Sequence, residues 1–218
     1  QDIDRQQQKL ILAPLTNGVG DVIADQRELA YDTLVLAIGS TSNDFKTTGA
    51  AEHCIFLDSR SQADRFQREF LNLYLQAQAR SLSDASPQPL NIAIIGAGAT
   101  GVELAAELHH AANEFHRYGL NQIRPDDVTI TLIEAADRVL PALPPAVSAR
   151  AAQQLQDFGI QVLTGRKVTS IHADHIACDG GVNIPASLKV WSAGIKAPDF
   201  LKDIAGLETN RINQLVVG

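Results

Sequence analysis

The sequence predicts an α/β fold built around a parallel sheet, and three observations carry that expectation. Tyr31 to Ser40 holds a continuous apolar core, Leu34–Ile38, of the kind found in strands buried on both faces. From Ser59 the period changes: Ala63, Phe66, Phe70, Leu73 and Ala77 fall three and four apart, an apolar helical stripe. From Leu90 the order is strand, glycine-rich turn, helix, strand, which is the repeating unit of a parallel sheet.

Length and composition agree with a packed globular chain. The 218 residues allow one large domain or two small ones, and 45% hydrophobic with 20% charged residues is ordinary for a folded protein. A disordered tail, a collagen-like repeat and a short disulfide scaffold are excluded. No apolar run approaches the ~20 residues of a membrane-spanning helix. The formal charge of −7 opposes a phosphate backbone, so nucleic acid is not an expected partner. A single nucleotide held by backbone amides is still compatible with that charge. Cys54 and Cys178 stand far apart without a CxxC pair and read as reduced thiols of an intracellular protein. The chain starts at Gln1 without a signal-peptide pattern and has no methionine, so a piece of a longer protein is expected.

Taken in order, Asn17-Gly18 between short apolar runs predicts a hairpin. Leu34–Ile38 is expected as a buried strand, 41–58 as loop, and 60–80 as a helix. Residues 81–89, rich in Ser and Pro, predict an interdomain linker. Leu90–Ile95 and Val128–Ile133 are expected strands, with a helix from the glycine turn to about Tyr118 between them. A helix over Val147–Phe158 ends at Gly159. Short strands follow at Ile160–Leu163, Val168–His172 and Asp174–Ala177, a β-meander in prospect, and Leu188–Ser192 enters Ala193-Gly194.

The turn itself is Gly96-Ala97-Gly98-Ala99-Thr100-Gly101. A lone GxGxxG is weak, but here it follows an apolar strand and opens a helix, as a Rossmann-like dinucleotide site requires. Gly96 permits the tight turn, Gly98 lets a pyrophosphate approach the backbone, and Gly101 lets helix and strand pack closely. The helix start then neutralises the phosphates without a basic side chain. Glu134 ends the next strand, where a carboxylate accepts hydrogen bonds from a ribose 2′-OH and 3′-OH and repels a 2′-phosphate. NAD(H) is therefore expected over NADP, although Arg138 is near enough in sequence to blur the distinction. Glu134 follows Gly96 by 38 residues, against the usual ~20. The excess falls in the long helix and the loop after it.

Several segments together resemble the type II NADH dehydrogenases, members of the pyridine nucleotide-disulfide oxidoreductase superfamily. They are YDTLVLAIGSTSNDF at Tyr31–Phe45, IIGAGATGVELAAEL at Ile94–Leu108, LIEAADRVLPALP at Leu132–Pro144 and VWSAGIKAP at Val190–Pro198. The resemblance implies a NAD(H)-binding Rossmann domain over 89–196, inserted into a partial FAD-binding domain formed by 1–88 and the start of its return over 197–218. It implies that Ala37, Ile38, Gly39 and Ser40 form a small-residue turn near the flavin pyrophosphate, and that Ala193-Gly194 closes the NADH domain. It implies a place for Glu103 facing the nicotinamide; the alternative is that Thr100 and Glu103 form a capping box at the helix start. FAD and NAD(H) are the implied cofactors, NADH and a quinone the implied reactants, and a homodimer one assembly left open. The implied location is cytoplasmic, peripheral on the cytoplasmic face of the inner membrane, as part of a respiratory chain. The family's N-terminal FAD fingerprint and C-terminal region have no counterpart here, so the chain by itself is expected to be inactive. A related flavoprotein with a ferredoxin, oxygen or disulfide acceptor, or a non-catalytic NADH-binding module, stays open.

Other chemistries find little support. His109, His110 and His116 share a helix, and His172 and His175 flank a turn, without HExxH or a Cys/His array, so no metal is expected. GxSxG and GKS/T are absent. Asp137-Arg138 reads as a local ion pair.

Overall fold

The structure, a computed structural model, describes residues 2–83, 89–115, 123–124, 127–202 and 204–217. It divides into two compact units, Ser42–Gly194 and a second made of Gln1–Thr41 with Ile195–Gly218. Residues 42–83 fold with the large sheet because they supply it with an edge strand and a helix.

The unit built from the chain ends contains strands β1 (Asp2–Asp4), β2 (Lys9–Leu12) and β5 (Arg27–Ala30) in one antiparallel sheet. The predicted hairpin forms between β3 (Leu15–Thr16) and β4 (Val22–Ala24). Its turn is held by Asn17, whose Oδ1 accepts the amides of Val19 and Asp21 at 3.0 and 2.9 Å. Leu34–Ile38 departs from expectation: it is irregular, and Val35 is 78% exposed. An all-apolar segment becomes a buried strand only when other strands flank it, and among the described residues none pairs with it. The tail forms two short 3-10 turns, at Asp199–Leu201 and Ile204–Gly206.

The chain passes into the large unit through β6 (Thr41–Ser42). The stretch 41–58, expected as loop, also contains α1 (Ala50–His53) and β7 (Ile55–Phe56). Gly49 caps α1 with φ +79°, and a side chain there would collide with the carbonyl of Ile171. Helix α2 (Arg60–Ser83) runs past its expected end near Arg80, and 84–88 of the expected linker lie outside the described residues. Then follow β8 (Leu90–Ile95), α3 (Ala99–Phe115), β9 (Val128–Ile133), α4 (Pro145–Asp157) and β10 (Gln161–Leu163). A meander of β11 (Val168–Ile171), β12 (His175–Cys178) and β13 (Asn183–Pro185) precedes β14 (Leu188–Trp191), and β15 (Ile195–Lys196) begins the return.

Five of these strands form one parallel sheet in the order β10-β9-β8-β14-β7. The alternation of their side chains makes two cores. Ile92, Ile94, Leu132 and Leu188 point to the face covered by α2, α3 and α4. Ala93, Ile95, Ile133 and Trp191 point to the meander, where they meet Ile171, Ile176 and Ile184. Each fully buried Ile or Leu contributes about 1.5–3 kcal/mol. On the helical side Phe70, Tyr74 and Phe115 pack edge to face or tilted, with centroids 4.6–5.5 Å apart. The registers align Ile95 with both Ile133 and Trp191 and Ile133 with Leu163. The strands therefore stop level, and their carboxyl ends form one edge.

Candidate functional site

The glycine turn leaves that edge at β8 and enters α3, and each of its glycines answers to a different demand. Gly96 sits at φ +102°, and a Cβ there would lie 2.6 Å from the nitrogen of Ala193. Its amide donates to Ile133 O at 2.7 Å, tying the turn to β9. Gly101 is pressed against the turn: an added Cβ would collide with Gly96 O and come within 2.8 Å of Ser192 Oγ. That hydroxyl donates toward Ile95 O and Gly96 O, both at 3.0 Å. Gly98 differs. It has no left-handed backbone, and a Cβ would meet nothing within 4 Å. Neither packing nor conformation requires glycine there.

Glu134 is held by its own backbone: its amide donates to Leu163 O at 2.8 Å, and its carbonyl accepts from Arg166 at 2.9 Å. Its half-buried carboxylate accepts the amides of Ala97 at 2.7 Å and Ala136 at 2.8 Å. Ala97 O in turn accepts from Leu140 N at 2.7 Å. Ala97 is thus occupied on both sides. The amides of Gly98, Ala99 and Thr100 make no hydrogen bond among the described residues, and they stand at the start of a 17-residue helix. Free amides in that position form an anion seat.

Arg138 is turned to the backbone that follows it. Its guanidinium Nη2 donates to the carbonyls of Pro141 and Leu143 at 2.7 and 3.3 Å. Among the described residues it forms no ion pair with Asp137, which corrects the expected local pair; the carbonyls of Pro141 and Leu143 take its hydrogen bonds instead. Glu103 is exposed on α3, without a capping bond to Thr100 among the described residues.

Beside the turn lies a cavity of about 350 Å³, with Gly96, Glu134 and Ala193 on its wall and Phe45, Val168 and Trp191 supplying apolar surface. Cavities of ~300–1,000 Å³ suit small ligands and cofactors. Trp191, the one tryptophan of the chain, is fixed by Nε1, which donates to Ala193 O at 2.7 Å and Asn43 O at 3.0 Å. Sequence reasoning missed Phe45, Thr47 and Trp191 as wall residues, because only the fold brings 43–47 against the end of β14. Ala37, Ile38, Gly39 and Ser40 belong to the other unit, where Gly39 has φ +71° and open space at its Cβ position.

Other groups of interest are held by local contacts. Lys189, buried within β14, donates to the carbonyls of Ala173 and Ala186, both at 2.8 Å, and burial pushes its ammonium pKa down. Cys54 and Cys178 are free and buried, and burial pushes the Cys54 thiol up to about 12. His109 stacks on Phe158, while His172 stacks on His175, which bonds Asp174 at 2.8 Å and holds that carboxyl below its ordinary range. His116 lies outside the described residues. Among the described residues no cluster of three or more His, Cys, Asp or Glu is placed to hold a metal, and no helix is long and apolar enough to cross a membrane.

Comparison with known proteins shows the family. The chain is 43% identical to the type II NADH:quinone oxidoreductase of Haemophilus influenzae, over 99% of its own length and 51% of the relative's. It is 36% identical to a mitochondrial external alternative NAD(P)H-ubiquinone oxidoreductase B1 of Solanum tuberosum, over 90% of this chain and 36% of that protein. The chain thus spans about half, or less, of the length of these relatives. Its fold matches the structure of NDH2 from Plasmodium falciparum in complex with NADH, with a TM-score of 0.74 at 20% identity, over 93% of this chain and 41% of that one. The pyridine nucleotide-disulphide oxidoreductase model matches residues 1–218. With its parallel sheet, level strand ends and glycine turn, the chain belongs to the pyridine nucleotide-disulphide oxidoreductase family.

Proposed function

We propose that this chain is the NADH-binding portion of an FAD-dependent NADH dehydrogenase whose electrons pass to a quinone. Gly98 carries the assignment: it is a glycine that the fold itself does not need, at the mouth of a helix with free amides. A pyrophosphate approaching that point explains it. Residues 89–196 form the NADH domain in this reading, and 1–88 with 197–218 belong to the FAD domain. The likeness to the Haemophilus influenzae enzyme supports the quinone as acceptor.

Each part of the site then has a task. The amides of Gly98, Ala99 and Thr100 receive the pyrophosphate, and the dipole of α3 favours its charge. Glu134 keeps its two backbone bonds and offers its remaining lone pairs to the adenosine 2′-OH and 3′-OH. A 2′-phosphate would meet the same carboxylate as a like charge, which selects NADH. Ala193 and Gly194 give the rest of the dinucleotide a wall without side chains, and Glu103 orients the carboxamide. Gly39 fits a flavin pyrophosphate, because its open backbone leaves room for one, and Ala37, Ile38 and Ser40 flank it. The bound cofactors supply hydride donation and acceptance; the protein supplies alignment and electrostatics. The buried, high-pKa Cys54 takes no part in electron transfer. In the cell the enzyme is peripheral on the cytoplasmic face of the membrane and feeds a respiratory chain.

Titration of the chain with NADH, followed by quenching of Trp191 emission, tests the binding. NADH quenches and Gly98→Ala weakens the effect at least tenfold; equal quenching by wild type and variant would refute the role of the turn. In the whole enzyme, NADH-driven reduction of a soluble quinone analogue tests the acceptor. Failure with every quinone would contradict it.

A further inference from the structure

Phe45 occupies a backbone position that its own burial does not explain. It and Lys46 are successive left-handed residues, with φ +51° and +57°. Two bulky non-glycine residues in that region are uncommon and persist only where the surroundings hold them. Here the surroundings do so. Asn43 Oδ1 accepts the amide of Phe45, and Asp44 Oδ1 that of Lys46, each at 3.0 Å. Asn43 is in turn bound to the exit of β14: its amide donates to Gly194 O at 3.2 Å, and its carbonyl accepts from Trp191 Nε1 at 3.0 Å. The ring so placed is 63% exposed, an aromatic surface left open to water. It rests on Gly194, where an added Cβ would collide with ring Cζ. The absent side chain is its seat.

The position along the sheet edge gives that ring a partner. Glu134 ends β9, the glycine turn ends β8, and Ala193-Gly194 follow β14, so three adjacent strand ends carry three features in one line. With ribose recognition at the first and the pyrophosphate at the second, the remaining nucleotide of NADH reaches the third. Phe45 lines the same cavity as Glu134, Gly96 and Ala193. We propose that Phe45 is a binding residue for the nicotinamide half of NADH, its ring packed against the planar nicotinamide and its strained backbone fixing that ring in advance. Offset packing of two flat rings is favourable beyond the area they cover. This inference rests on the proposed NADH site.

The test compares NADH with ADP-ribose, which has the adenosine and pyrophosphate but no nicotinamide. Calorimetry on the 218-residue chain should show Phe45→Ala weakening NADH about tenfold while ADP-ribose changes less than twofold. Phe45→Tyr should restore NADH binding. Gly194→Ala, which dislodges the ring from its seat, should reproduce the selective loss. Thermal unfolding of each variant separates these effects from loss of fold. Equal weakening of both ligands would place Phe45 elsewhere on the dinucleotide and overturn the inference, as would an unchanged NADH affinity in Phe45→Ala. Failure of the NADH site itself has a different signature: the wild-type chain would then bind neither ligand.

Discussion

The carboxylate of Glu134 accepts the amide of Ala97 at 2.7 Å, so the residue that would read the ribose also pins the glycine turn. Its other oxygen holds Ala136 at 2.8 Å. In the proposed reading, cofactor selection and the shape of the glycine turn therefore depend on one side chain. Replacing Glu134 should not simply exchange NADH for NADPH. Glu134→Ala is expected to cost about 1–3 kcal/mol of stability, because two amides lose their acceptor. Glu134→Arg should lose NADH affinity without acquiring tight NADPH binding. Chemical denaturation and calorimetry with both nucleotides check this; a clean switch to NADPH at unchanged stability would contradict it.

The glycines should separate into two classes. Gly98→Ala adds a methyl to open space, so its Tm should match the wild type while nucleotide affinity falls at least tenfold. Gly101→Ala drives a methyl against Gly96 O and Ser192 Oγ, and overpacking of this kind costs about 1–3 kcal/mol or more. A pair of melting curves with a nucleotide titration distinguishes the two variants. Equal destabilisation would remove the argument that Gly98 answers to a ligand.

Lys189→Met should keep the packing of the stem but strand the carbonyls of Ala173 and Ala186. The expected loss is about 1–3 kcal/mol, read as a lower urea midpoint at an unchanged slope. An unaltered midpoint would show that the ammonium is dispensable to the loop between β11 and β12 and to the turn before β14.

Cys54 sets an alkaline limit. The folded chain keeps its thiol proton up to about pH 12, whereas an unfolded chain releases it near pH ~8.5. A raised folded pKa stabilises fully below the unfolded value and is lost as pH rises through the folded one. Stability should therefore decline above about pH 8.5, and Cys54→Ala should flatten that decline. Denaturation midpoints between neutral and strongly alkaline pH measure the difference, and parallel profiles for the two proteins would exclude the thiol.

What could be read from the amino-acid order was what local rules govern. The turn from Gly96 to Gly101 was legible because its glycines stand between an apolar strand and a helix, and Glu134 because it follows the next apolar strand. The stripe from Ala63 to Ala77 was legible because helical period is local. Leu34–Ile38 was not: an apolar run states a need for cover, but not which strands supply it, and here none of the described ones does. Ile55–Phe56 was missed because two residues carry no period, although the edge of the sheet receives them. Arg138 was misassigned to Asp137 because adjacency in sequence says nothing of the carbonyls of Pro141 and Leu143, which take its hydrogen bonds. Phe45 gave no signal at all. Its significance arises from its seat on Gly194 and from the bond of Asn43 to Trp191, residues that lie far along the chain.

The central claim, a built NADH seat at the level ends of β9, β8 and β14, is tested most directly by a competitive titration of the 218-residue chain with NADH and NADPH. Trp191, on the wall of the cavity, provides the signal. Selective quenching by NADH, diminished at least tenfold in Gly98→Ala with its Tm unchanged, is the predicted result. A folded chain that binds neither nucleotide, or that prefers NADPH, would contradict the account.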